Sequence, residues 1–361
     1  MRITRATHYA VNVPETRWWW SDDVYGQPAH RRADRGVVEV ETDEGLTGLA
    51  EVNRGAAPEA IVESLRSWVG VDVLAHNLHE PFSQLPGSFE QAVYDLRGKA
   101  LGVPVWQLLG GRVCDRVPGA QVTGYKTPEH TAEDAQRGWE LGFRVYKMKC
   151  ITDAETTPEA RIAYVVDRVE AIHAVLPDMA VRPDIRWRLA EVWVAQELAR
   201  RLRGHKIDCL ESPIARRTTA NYSEWRRLRE SIHLPVGDHV SPSDMLLAYQ
   251  ERAVDYVIVK GPNAVGDVYQ SKLAAELGMG GWSQSTSLGI AAAMTLHVAA
   301  CMPHLTQAHD LSGPMVWEDT LVNEAFPFAE GYYEVPDRPG LGYTLNHDAA
   351  GRYLIEKRMY E

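Results

Sequence analysis

At 361 residues the chain is too long for one small core and suits two domains, or a barrel with additions. Its content of 45% hydrophobic and 24% charged residues is that of a globular protein, and a net charge of −11 argues against nucleic acid and anionic membrane surfaces as partners. Cys114, Cys150, Cys209 and Cys301 form no C-x-x-C pair, and no run resembles a signal segment or a membrane span, so free thiols and a cytoplasmic location are expected.

The chain opens with period-two alternation over Ile3–Val11 and again over Val37–Glu41, followed by the acidic, glycine-punctuated turn Asp43–Gly48. This pattern predicts a small antiparallel meander. Between the strands lies a loop, 14–36, of roughly twenty residues, long enough to suggest a functional lid. Helical periodicity follows in Ser88–Gly102, where Ala92, Leu96 and Ala100 share a face and Gly102 marks a stop. Leu108-Leu109-Gly110-Gly111 marks a boundary, giving a capping domain over 1–116.

From about Val117 the pattern changes. Short apolar runs, each ending in a polar residue, alternate with amphipathic helices: Phe143–Lys149, Met179–Asp184, Ile207–Glu211, Leu234–Asp238, Tyr256–Lys260 and Gly281–Ser285. Their ends fall about 22 to 35 residues apart, the length of one βα unit, and so many parallel units favour a closed (β/α) barrel over 117–324. The doubly wound alternative lacks a G-x-G-x-x-G after its first strand. The remainder, 325–361, carries a short strand and tight turns and is expected to pack back on the capping domain.

Functional groups of such barrels gather where the strands end, at one mouth. Here the ends carry Lys147 and Lys149, then Asp184, Glu211, Asp238 and Lys260. Single acidic residues at loop starts are usually helix caps, but three on successive strands would repel one another unless a hard divalent cation, Mg²⁺ or Mn²⁺, lay among them. Lys147 and Lys149, two apart on a strand, point to one side; two ammonium groups there lower each other's pKa, which makes Lys149 a candidate base. Lys260 would face the same cavity from the opposite wall. Two bases across one carbon, beside a metal, suit proton abstraction α to a carboxylate through an enediolate.

These residues resemble the enolase superfamily, and within it the muconate-lactonizing subgroup of the mandelate racemase/muconate lactonizing family. The resemblance rests on Ala92–Gly102 with Pro104–Gly111, on Lys147-Met148-Lys149, on the acidic strand ends and on Pro339–Gly342. It implies a modified (β/α)7β TIM-type barrel with an α+β capping domain completed by the C-terminal tail. It further implies Mg²⁺ held by Asp184, Glu211 and Asp238, acid/base roles for Lys149 and Lys260, electrostatic help from Lys147, and a homo-oligomer. Some positions depart from the pattern: Arg186 stands where relatives carry Asn, and Ser285 where several carry Glu. Ser312 replaces a second acidic residue of dipeptide epimerases, which argues against that reaction. In relatives the long loop closes over the mouth, which makes Trp20 and His30 candidate substrate contacts, with Ser285, His309 and Asp310 from the barrel. The alternative for the loop tryptophans is packing.

The expected function is isomerization of a small carboxylic acid, by racemization, epimerization or lactone-forming cycloisomerization. The alternative is dehydration of a hydroxy or sugar acid through the same enediolate. A binding protein that kept the barrel and lost its chemistry is the remote third reading.

Overall fold

The computed structural model describes residues 1–16, 19, 32–52, 55–79, 82–215, 221–259, 264–303 and 307–361. The N-terminal region is the antiparallel meander β1 (Ile3–Pro14), β2 (Arg32–Thr42) and β3 (Thr47–Val52), then helices α1 (Pro58–Trp68), α2 (Pro86–Leu101) and α3 (Val105–Leu108). Alternation gives this sheet two buried faces. Ala6, Val38, Val40, Ala50 and Val52 pack with Leu65, Trp68, Phe89 and Leu96 of the helices, while Tyr9, Val11, Val13, Val37 and Leu49 join the barrel core. Strand pairing continues to Pro14↔Arg32, so the expected loop 14–36 gives up its last five residues to β2. Gly102 ends α2 in the left-handed region (φ 69°), its N–H donating to the carbonyls of Gly98 and Lys99.

The second region carries β4 (Arg116–Pro118), β5 (Gln121–Thr123), α4 (Pro128–Glu140), β6 (Val145–Lys149), α5 (Pro158–Val175), β7 (Ala180–Asp184), α6 (Val192–Arg201), β8 (Leu210–Glu211), α7 (Tyr222–Ser231) and β9 (Val236–Asp238). It continues with α8 (Met245–Gln250), β10 (Tyr256–Val259), α9 (Ala264–Glu276), β11 (Gly280–Ser285), α10 (Gly289–Ala300), β12 (Asp310–Leu311) and α11 (Gly313–Val316). Strands β5 to β12 form one parallel sheet in sequence order. Its ends meet at Gly119 and His309, where the His309 N–H donates to Pro118 and the Ala120 N–H donates to His309. Eight parallel strands thus come round into a barrel. Thr127 and Thr157 cap α4 and α5 by accepting from the N–H groups of His130 and Ala160, each followed by a proline in the first turn.

The tail contributes β13 (Phe328–Ala329), β14 (Tyr332–Glu334), α12 (His347–Arg352) and β15 (Leu354–Tyr360). β14 pairs with β4, and β15 pairs with β1 to complete the N-terminal sheet. Buried Asp95 on α2 joins the parts, accepting from the N–H groups of Leu49 (2.9 Å) and Leu341 (2.8 Å). Among the described residues no helix is long and apolar enough to cross a membrane.

Candidate active site

The barrel interior is charged. On β6, Tyr146 and Met148 join the hydrophobic core, which turns Lys147 and Lys149 the other way. Register puts Lys147 beside Arg182 and Lys149 beside Asp184, and pairs Asp184 with Glu211 on the next strand. Lys147 is fully buried, its Nζ 2.7 Å from Glu211 Oε1, 2.7 Å from Asp310 Oδ2 and 3.5 Å from Asp184 Oδ2. Arg182, also fully buried, donates to Asp310 Oδ1 (3.0 Å) and Asp208 Oδ2 (2.7 Å) and stacks 3.9 Å from the Trp282 ring. That ring needs space: a Cβ at Gly237 would stand 2.8 Å from it. Nearer the mouth, Lys149 keeps 19% of its side chain exposed and donates to Asp184 Oδ2 at 2.7 Å.

Electrostatics separate the two lysines. Burial by itself would lower the Lys147 pKa, but Asp310, Glu211 and Asp184 outweigh it and hold the ammonium above its ordinary value. Mutual depression of the lysine pair, expected from the sequence, therefore does not describe Lys147; three carboxylates surround it. Burial would raise Asp184, but Lys149 and then Lys147 draw it below the usual carboxylate range. Glu211 goes the other way, pushed up to about 8 by burial and by Asp184, with Lys147 opposing.

The three expected metal ligands are not gathered equally. Lys147 bridges Asp184 and Glu211. Glu211 pairs with Gly237 in the ladder, so Asp238 falls one residue further on, and its Oδ1 accepts from Ser212 Oγ (2.7 Å) and Trp187 Nε1 (3.1 Å). Among the described residues no three His, Cys, Asp or Glu side chains gather as a group that could hold an ion. The donor chemistry nevertheless fits a hard divalent cation. Glu211 Oε2 is buried with no hydrogen-bond partner among the described residues, an orphaned acceptor that a cation would satisfy. All three side chains are oxygen donors, each at most 4% exposed.

Two expected substrate contacts are engaged elsewhere. Asp310 is fully buried and committed to Lys147, Arg182 and the Trp282 indole N–H (3.0 Å). His309 Nδ1 accepts from the Ser283 N–H at 3.1 Å, and burial lowers this imidazole to about 4, so it stays neutral at the barrel seam. Ser285, 9% exposed, ends β11, and its Oγ accepts from the Ser287 N–H at 3.4 Å. Lys260, Trp20 and His30 lie outside the described residues. Of the loop tryptophans, Trp19 is described and packs against the barrel core.

Apart from Arg186, the other residues at the mouth were not singled out by the sequence. His239, directly after Asp238, brings Nε2 to 4.0 Å from Glu211 Oε1. The β7–α6 loop is strapped to β8 by the N–H groups of Ile185 and Trp187, which donate to Glu211 and Ser212. Ile151, Arg186, Trp187, Ala190 and Ser212 all have φ between 49° and 65°. Left-handed backbone at non-glycine residues costs energy and concentrates at functional sites. The capping domain grips two further loops with buried glutamates. Glu90 accepts from the N–H groups of Ala264 (2.7 Å) and Val265 (3.5 Å) at the start of α9. Glu51 accepts from Leu288 (2.9 Å) and Ala291 (3.1 Å) at the start of α10, while Arg35 bridges Glu51 and the Thr286 carbonyl.

Residues 130–349 match the model of the enolase C-terminal domain-like family. N-succinyl-L-Arg/Lys racemase of Bacillus cereus is 25% identical, covering 96% of each chain. A crystal structure of N-succinyl Arg/Lys racemase from that organism superposes with a TM-score of 0.81 at 22% identity over 100% of both chains. D-xylonate dehydratase of Haloferax volcanii is 26% identical over 89% of this chain and 85% of its own. Muconate cycloisomerase 1 of Pseudomonas putida is 29% identical over 88% of this chain and 89% of its own.

Proposed function

The chain belongs to the enolase C-terminal domain-like family, and from that premise we propose that it removes the proton α to the carboxylate of a small acid, with Lys149 as the base and isomerization as the outcome. The observation that carries this reading is the division between the two β6 lysines. Lys147 lies sealed among three carboxylates, whereas Lys149 stands at the partly open rim with its Nζ oriented by Asp184.

Asp184, Glu211 and Asp238 would hold Mg²⁺, or Mn²⁺ in its place, which supplies positive charge beside the substrate carboxylate when bound. Lys149 takes the α-proton at Nζ, and the Asp184 carboxylate fixes where that nitrogen points. Lys147 keeps its proton because its three carboxylate neighbours favour the ammonium, so it acts by charge alone. Lys260, directly after β10, would serve the opposite face of the carbon and return the proton there. The racemase and cycloisomerase among the relatives favour an isomerase.

A second reading, dehydration of a hydroxy acid, is favoured by the D-xylonate dehydratase relative and by His239. This half-buried imidazole stands beside Glu211, where it could protonate a departing hydroxyl.

The test is exchange of substrate α-protons in D₂O with Mg²⁺ present, followed by NMR across a library of N-acyl amino acids and hydroxy acids. Lys149→Ala is expected to slow exchange by about 10²–10⁴-fold. Lys260→Ala is expected to stop it from one enantiomer only. Exchange at the parental rate in Lys149→Ala overturns the assignment, and loss of water from a hydroxy acid selects the second reading.

A further inference from the structure

On β7 and in the loop that follows it, two of the three described arginines are paired with carboxylates and the third is not. Arg182 is bound to Asp208 and Asp310, and Arg188 donates to Asp153 at 2.6 Å. Between them Arg186 is exposed, and its one hydrogen bond among the described residues runs from Nη1 to the hydroxyl of Tyr125. No carboxylate among the described residues pairs with it. A guanidinium offers five N–H donors in a planar fork, and most of this fork is unused.

Its placement follows from the backbone. Arg186 and Trp187 are both left-handed (φ 56° and 62°), and the loop is strapped to β8 on either side of Arg186. The two side chains therefore diverge. Trp187 reaches Asp238 at the end of β9, while Arg186 reaches Tyr125, two residues past the end of β5. Strand order is β7-β6-β5, so the bond from Arg186 to Tyr125 crosses the end of β6, where Lys149 stands. An anchored cation with no carboxylate partner among the described residues, held on strained backbone over the strand end that carries the proposed base, has the features of a built receptor for an anion.

We propose that Arg186 is a specificity-determining residue that receives a second anionic group of the substrate, so that the natural substrate is a dianion with its second carboxylate distal to the reacting carbon. This deepens the proton-abstraction reading and rests on it for the position of the reacting carbon.

Binding separates the two ideas. Calorimetric titration with Mg²⁺ present would compare α,ω-dicarboxylates of three to seven carbons with monocarboxylates of equal length. The parent enzyme is expected to bind at least one dicarboxylate about ten- to a hundredfold more tightly than its monocarboxylate partner. Arg186→Gln should erase that preference while leaving monocarboxylate affinity unchanged, and Arg186→Lys should restore part of it. Unchanged thermal melting would establish that both variants fold. A parent enzyme with no dicarboxylate preference, or a preference that survives in Arg186→Gln, overturns the proposal. Selective binding with no α-proton exchange in any acid would sink the reaction assignment and leave Arg186 as an anion receptor.

Discussion

Asp310 shows how one side chain serves a site it does not expose. Its two oxygens answer Lys147, Arg182 and the Trp282 indole, all buried. Removing one partner from a buried ionic set leaves charge uncompensated, and such losses cost about 3–5 kcal/mol. Asp310→Ala is therefore expected to destabilise the protein by that order in urea unfolding, whereas Lys149→Ala, at the half-open rim, should cost far less stability while removing activity. The strand-end lysines and acids were legible in the sequence because each closes an apolar run. Asp310 was visible as a residue but not as the partner of Lys147, since 163 positions separate the two and only barrel closure joins them. Nor could alternation tell that Glu211 would pair with Gly237, leaving Asp238 with Ser212 and Trp187.

At the scale of elements, strands of five residues such as β6 and β7 announced themselves, as did α2 with its glycine stop. The three-residue β5 and the two-residue β12 carry too little pattern to be read, although they close the barrel. Also hidden were the contacts by which capping elements hold barrel helices, because a glutamate that accepts from a distant helix start looks like any surface acid. Glu90 makes the point testable. Burial pushes its carboxyl from an ordinary 4.5 up to about 7. The folded state then holds a proton that the unfolded chain releases, so this contribution to stability is complete below pH 4.5 and is lost as pH rises through about 7. A shift of this size corresponds to on the order of 3 kcal/mol. Glu90→Gln does not titrate, so thermal melting between pH 4.5 and 7 should decline less steeply than in the parent; an unchanged slope would place the titrating group elsewhere.

Across the whole molecule, β15 lies along β1, so the capping sheet is made from both ends of the described chain. Deleting residues 354–361 would leave β1 an unpaired edge against solvent. Hydrogen exchange is expected to rise in β1 and β2 while β6 and β7 keep their protection; equal loss in both regions would mean that the two parts unfold as one. The ring of strands has its own weak point. Among the described residues, β12 is fastened to the β5 side through one bridge, His309 to Gly119, a clasp on an eight-stave cask. The residue beside that clasp is Asp310, so prising the staves apart there would drag its carboxylate away from two buried cations. The charges at the centre of the cask thus act as its lock, and a change that weakens them should let the ring gape at this joint first.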